Sequence, residues 1–348
     1  MQPREHAATG ALRRAAPGRA ATGRAATRNQ DEKSYYAQGV SFSFFRAVVL
    51  LLSCVSLLGG CAGLRISRAR DRVTILEDIP YVAGSDDPKQ RLDLYLPKGR
   101  TKFPMVLFVH GGFWRNQDRR YHQTLVGLYG NVGAALAQRG IGVAVQSYRL
   151  SPQVGIKEQL SDVLAATKWV LANSEKHGGD ASALVLAGYS AGGHLVSLLT
   201  LDPRHMQEAG IEASRVRGCV TLSGVLDVAA MTAGQDAAFN RDVSFPLFGR
   251  TAAEQAPLSP VTYLRKDAPP LLLFAAERDY PFVLSANRDV AARVKALGGQ
   301  ATLREVPGYT HSDMVLNINS SSDLVSEPMA AFVLQVSGGV AASPSPAP

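Results

Sequence analysis

The chain has 348 residues, of which 46% are hydrophobic and 19% are charged. This balance provides apolar material for a large buried core and excludes a wholly disordered protein. The formal net charge is +8, but residues 1–60 hold eight Lys or Arg residues against three acids, so a surplus of only three remains for residues 61–348. No basic stripe with interleaved aromatic residues is visible, and we therefore expect no nucleic-acid partner.

The N-terminal segment indicates export. Residues 1–45 are rich in Ala, Arg and Gly without apolar periodicity, so we expect a disordered basic arm. Residues 46–61 begin with Arg46, continue as a short apolar run and end at Gly59-Gly60-Cys61, which is the pattern of a signal peptide. The run is shorter than the roughly twenty residues of a membrane-spanning helix.

Leu58-Gly59-Gly60-Cys61 resembles the lipobox of bacterial lipoproteins. The resemblance implies that Cys61 carries a lipid and anchors an exported, periplasmic protein to a membrane of the cell envelope. An uncleaved anchor helix and ordinary cleavage are the open alternatives. Because Cys54 lies inside the signal, Cys219 is the only other cysteine of the mature chain, and no internal disulfide is expected.

Between a linker at 62–72 and a disordered Ser/Pro-rich tail at 337–348, residues 73–336 are predicted to form one folded domain. Two segments alternate apolar and polar residues like antiparallel strands, and later apolar runs alternate with amphipathic helices. This order predicts an α/β fold with a mostly parallel, doubly wound sheet. The predicted strands are 73–82, 91–96, 104–110, 141–147, 183–187, 216–222, 271–275 and 301–306, and the predicted helices are 126–138, 157–174, 191–201, 282–297 and 324–336.

Residues 225–266 interrupt this alternation. They contain Phe239, Phe245 and Phe248 within a largely polar stretch. The segment could form a small cap over the sheet edge, and an ordinary surface insertion is the open alternative.

Ser190 is the candidate nucleophile. It lies in Gly188-Tyr189-Ser190-Ala191-Gly192, between a predicted buried strand and a predicted helix. Two glycines permit the sharp strand-to-helix turn that presents a serine hydroxyl above a sheet. The pentapeptide by itself is weak evidence for a nucleophile. The predicted strand before it and the predicted helix after it strengthen that interpretation.

His110-Gly111-Gly112-Phe113-Trp114 follows another buried strand and is the candidate oxyanion loop. Consecutive glycines let backbone N–H groups point into a site. We expect the donors to come from Gly111, Gly112 and Phe113 together with Ala191. His110 is expected to shape the loop rather than to act as the base.

His311 is the candidate general base, in a predicted loop between the last strand and the last helix, where sites on open α/β sheets collect. Asp279 is the favoured orienting acid because the order Ser190, Asp279, His311 is the order of α/β-hydrolase triads. Asp227 and Glu277 remain rival acids.

Taken together, these motifs and Ser259-Pro260-Val261 resemble the carboxylesterases related to hormone-sensitive lipase, in the branch with kynurenine formamidases and prenylcysteine methyl esterases. The resemblance covers residues 73–336 and implies an α/β-hydrolase fold and cleavage of small carboxylic esters without a cofactor. We expect substrate contacts from Trp114 and Tyr189. Trp114-Arg115 departs from relatives that have smaller or apolar residues there, which leaves substrate choice open.

The predicted function is therefore that of a serine carboxylesterase that forms an acyl-enzyme. An arylformamidase or amidase with the same triad is the alternative within the enzymes. A catalytically inactive binding protein of the envelope is the alternative outside them. The histidines show no paired spacing of the zinc type, so no metal site is predicted.

Overall fold

The computed structural model describes residues 72–122 and 127–338. The predicted basic arm, the signal peptide with Cys61, the linker up to residue 71 and the tail beyond residue 338 lie outside the described residues. Within the described part of the chain, no helix combines the length and the apolar character that a membrane span requires.

The strands form one sheet in the order β1-β2-β4-β3-β5-β6-β7-β8. Antiparallel pairs join β1 to β2 and β2 to β4, and all the later neighbours are parallel. The mostly parallel sheet and its antiparallel N-terminal strands were both predicted. The strands are β1 Val73–Pro80, β2 Arg91–Pro97, β3 Phe103–Val109, β4 Gly142–Gln146, β5 Gly179–Tyr189, β6 Val216–Leu222, β7 Leu271–Arg278 and β8 Ala301–Thr310.

Five helices of ten residues or more occur in the described residues, close to the predicted positions. They pack on both faces of the sheet, where each fully buried aliphatic or aromatic side chain contributes about 1.5–3 kcal/mol. This packed core makes the sheet a rigid support for the loops at its edge. The helices are α1 Leu128–Ala137, α2 Ile156–Asn173, α3 Ala191–Leu201, α4 Pro281–Ala296 and α5 Ser326–Val336.

The last two strands are longer than predicted. Pairing between β7 and β8 continues past a register shift to Arg278 and Thr310, although Pro307-Gly308 reads as a turn in the sequence. Gly308 takes a φ of +73°, so the chain accommodates a local irregularity without leaving the sheet. His311 therefore follows directly after a strand instead of lying inside a long loop.

Residues 225–266 form several short helices rather than an extended polar excursion. Among them are Val228–Gly234, Phe245–Phe248 and Ala252–Gln255. The sequence did not predict these elements, because each is too short to show periodicity. Val228, Met231, Leu247 and Phe248 are buried against the core, while Phe239 faces the pocket described below.

Candidate active site

Ser190 occupies the sharp turn between β5 and α3. Its φ of 51° and ψ of −113° lie in a region that non-glycine residues rarely adopt, at a cost of about 1–3 kcal/mol. A Cβ atom on Gly192 would collide with the carbonyl oxygens of Val109 and His110, and one on Gly188 would collide with the backbone of Gly192. The two glycines are therefore required by close approach of the backbone, which holds the strained serine in place.

Ser190, His311 and Asp279 form a continuous chain of hydrogen bonds. The Oγ of Ser190 lies 3.0 Å from Nε2 of His311, and Nδ1 of His311 lies 2.7 Å from Oδ1 of Asp279. The side chain of Asp279 is fully buried and that of His311 is 13% exposed. The structure thus brings the three residues singled out in the sequence together in the geometry of a nucleophile, a base and an orienting acid.

The surroundings of Asp279 favour its ionised form. Burial alone would raise the pKa of Asp279, but the hydrogen bond and charge of His311, with hydrogen bonds from the Ser223 hydroxyl and the Ala276 N–H, hold that pKa below its usual value. The Tyr280 N–H also donates to Oδ1 of Asp279, over 2.8 Å. An ionised Asp279 accepts the Nδ1–H of His311 and leaves Nε2 free to take a proton. The sequence did not identify Ser223, which follows the neighbouring strand β6.

The rival acids have other partners. Asp227 caps the short helix Val228–Gly234 by accepting the Ala230 N–H at 3.0 Å. Glu277 accepts the Gly308 N–H at 2.6 Å on the exposed edge of the sheet. Both carboxylates therefore stabilise local backbone.

Two groups hold the backbone around His311. Asp313 accepts the N–H and the hydroxyl of Thr310 at 2.7 and 2.6 Å, and the Tyr189 hydroxyl donates to the carbonyl oxygen of His311 at 3.2 Å. Tyr189 is 7% exposed and does not lie on the wall of the pocket. The predicted substrate contact of Tyr189 is thus not what the structure shows, because the side chain turns under His311 and positions it.

The predicted oxyanion loop is unusual in its backbone. Gly112, Phe113 and Trp114 all have positive φ values, of 101°, 54° and 60°. In the described part of the chain, no hydrogen bond uses the N–H groups of Gly112, Phe113 or Ala191, the last of which is the first residue of α3. Free donors at a helix N-terminus and in a left-handed loop are suited to an oxyanion.

Gly111 was predicted to belong to this donor set, and the structure does not support that assignment. Its N–H donates to the Tyr129 hydroxyl at 3.2 Å and is therefore already used by a buried partner. Gly111 instead allows close packing, since a Cβ atom there would lie 2.7 Å from the ring of Tyr189.

His110 lies buried beneath the loop. Its Nδ1–H donates to the carbonyl oxygen of Gly111 at 2.7 Å, and its ring stacks on Tyr148 with the centroids 4.4 Å apart. Burial lowers the pKa of His110 to about 4, so the ring is neutral near pH 7. This arrangement agrees with the loop-shaping role expected from the sequence.

Trp114 and His194 connect the loop to the rest of the site. The indole N–H of Trp114, a residue that is 1% exposed, donates to Nδ1 of His194 at 3.3 Å, and the Nε2–H of His194 donates to the carbonyl oxygen of Leu258 at 2.8 Å. Burial also lowers the pKa of His194 to about 4. This neutral histidine, on α3, therefore links the oxyanion loop to the 225–266 segment, a role that the sequence analysis missed although His194 lies only two residues after the Ser190 motif.

A small pocket of about 270 Å³, including the space at its mouth, opens above Ser190. Apart from the candidate catalytic groups and Gln235, its walls are aromatic or aliphatic. Trp114 of the loop lines this pocket, and so does Phe239 of the 225–266 segment. The lining residues are Phe113, Trp114, Ser190, Val225, Met231, Gln235, Phe239, Tyr280, Phe282, Val283 and His311.

The site contains no grouping that resembles a metal centre. Within residues 72–122 and 127–338, no cluster of three or more His, Cys, Asp or Glu side chains is arranged to hold an ion.

Comparison with known proteins relates this chain to esterases. The BD-FAE family model matches residues 92–289. The isoprenylcysteine α-carbonyl methylesterase ICME of Arabidopsis thaliana is 27% identical over 82% of this chain and 70% of its own length. Esterase LipC of Mycobacterium tuberculosis is 29% identical over 72% of this chain and 62% of its own length. The kynurenine formamidase of Drosophila melanogaster is 26% identical over 65% of this chain and 72% of its own length. The chain thus spans between three-fifths and three-quarters of these relatives.

Solved structures share the fold. A carbohydrate esterase from gut microbiota superimposes with a TM-score of 0.63 at 20% identity, over 77% of this chain and 97% of its own. Esterase B from Lactobacillus rhamnosis gives a TM-score of 0.64 at 22% identity, over 88% of this chain and 96% of its own. The predicted α/β-hydrolase fold is confirmed.

Proposed function

The chain belongs to the BD-FAE family and is carboxylesterase-like, and we propose that it is a serine carboxylesterase that hydrolyses small carboxylic esters. One observation carries the proposal. The hydrogen bonds that run from Asp279 through His311 to Ser190 end at an apolar pocket. Beside it lie the backbone N–H groups of Gly112, Phe113 and Ala191, which donate to no described residue.

In the proposed mechanism, Nε2 of His311 accepts the Ser190 proton as Oγ attacks the ester carbonyl. The developing oxyanion accepts hydrogen bonds from the N–H groups of Gly112, Phe113 and Ala191. His311 then donates its proton to the departing alkoxide, which leaves as the alcohol, and an acyl-enzyme remains on Ser190. Water, deprotonated by His311, attacks this ester, and His311 returns that proton to Oγ of Ser190 as the acid leaves. Asp279 stabilises the imidazolium at both stages.

The size of the pocket supports a short acyl or alkyl group. We expect 4-nitrophenyl acetate and butyrate to be hydrolysed with kcat/KM at least about ten-fold above that of the decanoate, because a longer apolar chain would have to leave the apolar pocket for polar, solvent-exposed surroundings. A series of such esters, measured below the critical micelle concentration, tests this. Equal or faster turnover of the decanoate would contradict the assignment of this pocket.

An arylformamidase activity is the second candidate, and the Drosophila melanogaster relative named kynurenine formamidase favours it. The same groups would cleave an amide, with His311 protonating an amine instead of an alkoxide. The discriminating measurement is kcat/KM for N-formylaniline beside that for phenyl formate. A higher value for the amide than for the ester would replace the esterase assignment.

We also propose that the protein is exported to the bacterial cell envelope and held on a membrane through a lipid on Cys61. The support is the Leu58-Gly59-Gly60-Cys61 motif, which lies outside the described residues. In a bacterial host grown with a labelled fatty acid, the wild type is expected to incorporate label and sediment with membranes, whereas Cys61→Ser does neither. Equal labelling of both chains would overturn this proposal.

A further inference from the structure

A second, open chamber of about 680 Å³ lies next to the pocket at Ser190. Phe113 and Phe239 line both spaces, and their rings meet edge to face with the centroids 5.5 Å apart. The pair forms a common rim, at which Phe113 is 40% exposed, and a substrate that extends from Ser190 over this rim enters the chamber.

The chamber differs from the pocket in its chemistry. Polar side chains of Arg115, Asn116, Ser151 and Gln153 contribute to its walls. Among the lining residues within the described part of the chain, Arg115 alone carries a charge. A ligand group that enters this chamber therefore meets hydrogen-bond donors and a cation.

The guanidinium of Arg115 has N–H groups that donate to no described residue. Its guanidinium donates to the main-chain oxygen of Asp242, while the carboxylate of Asp242 is held at 2.7 Å by both Nε and Nη2 of Arg241. In residues 72–122 and 127–338, no carboxylate lies within ion-pair distance of Arg115. The Asp242 carboxylate is thus bound by Arg241, and no described carboxylate is hydrogen-bonded to the Arg115 guanidinium at the wall of the chamber.

The position of Arg115 is fixed relative to the reacting atoms. Its N–H donates to the carbonyl oxygen of Gly112 at 3.1 Å, so the residue continues the same left-handed loop that presents the Gly112 and Phe113 N–H groups. The backbone of Arg115 is therefore held beside the oxyanion donors, and the contact of its guanidinium with the main-chain oxygen of Asp242 restrains the side chain at the wall of the chamber.

We propose that the ester substrate carries an anionic group, such as a carboxylate, which occupies this chamber and is bound by Arg115. The inference rests on the proposed esterase function and names its substrate class. A planar guanidinium with free N–H groups binds a carboxylate through charge-assisted hydrogen bonds, and the amides of Asn116 and Gln153 are placed to assist.

Two matched substrate pairs test the proposal on the two sides of the ester. Mono-4-nitrophenyl succinate and 4-nitrophenyl butyrate differ by an anion in the acyl part. The acetate ester of 4-hydroxybutanoate and butyl acetate differ by an anion in the alcohol part. In one pair the charged ester is expected to have the higher kcat/KM, with an advantage that declines as salt is added.

Arg115→Gln is expected to lower kcat/KM for the favoured charged ester about ten-fold and to leave its neutral partner within about two-fold. Arg250→Gln is the matched control, since it removes an exposed arginine of the 225–266 segment that lies over the Phe245 ring and does not line the chamber, and it is expected to preserve the preference.

The outcomes separate this proposal from the proposed function. Turnover of the neutral esters without any charged preference, or with equal losses for both partners in Arg115→Gln, would overturn the anion site and leave the esterase assignment standing. No turnover of any of the four esters by folded protein would overturn both.

Discussion

Ser190→Ala is expected to reduce kcat for 4-nitrophenyl butyrate by about five to six powers of ten, close to the uncatalysed rate. The reason is that Oγ is the atom placed 3.0 Å from Nε2 of His311 and above the N-terminus of α3, and alanine leaves that position without a nucleophile. Initial rates of purified variant and wild type, with circular dichroism to show equal folding, provide the measurement.

Ser285→Ala is the matched control for this experiment. Ser285 lies exposed on α4, where its hydroxyl donates only to the carbonyl oxygen of Phe282, so wild-type rates are expected. A Ser190→Ala protein that retains more than about 1% of wild-type kcat after repurification would show that another group attacks the ester.

Asp279→Asn is expected to lower kcat by about four powers of ten with little change in fold. The amide that replaces the carboxylate no longer accepts strongly from Nδ1 of His311 and does not stabilise the imidazolium that forms during attack. Because the hydrogen bonds from Ser223 and Ala276 end on the other carboxylate oxygen, an amide oxygen there can keep the loop in place.

Asp227→Asn and Glu277→Gln serve as the comparison variants for this acid. Their carboxylates hold the Ala230 and Gly308 N–H groups, so both are expected to stay within about five-fold of the wild-type rate. A large loss in Asp227→Asn together with near-normal Asp279→Asn would move the orienting role to Asp227.

The features that the sequence predicted well are those determined by neighbouring residues. A buried strand, two glycines around a serine and a helix lie within about twenty consecutive positions, so the turn at Ser190 could be predicted from local pattern and chirality alone. The parallel sheet followed from alternating elements, and sheet geometry then predicted that loops after β7 and β8 would lie near Ser190.

The features that the sequence did not predict depend on residues distant along the chain. Ser223 reaches Asp279 because β6 and β7 are neighbours in the sheet, and nothing near Ser223 in the sequence indicates this. The N–H of Gly111 is occupied by Tyr129 on α1, and Tyr189 turns towards the backbone of His311. Side-chain direction and pairing at this scale are set by packing between elements, which local patterns do not encode.

The central claim is that Ser190 is an activated nucleophile, and covalent labelling tests it most directly. The protein is treated with a 4-nitrophenyl alkylphosphonate, which transfers its phosphonyl group to an activated serine and releases 4-nitrophenolate, and is then analysed by intact mass and peptide mapping. We predict one phosphonyl group per chain, on Ser190, with the released 4-nitrophenolate in equal amount and no labelling in Ser190→Ala. Labelling of a different residue, or a folded and ester-hydrolysing wild type that takes up no label, would contradict the account.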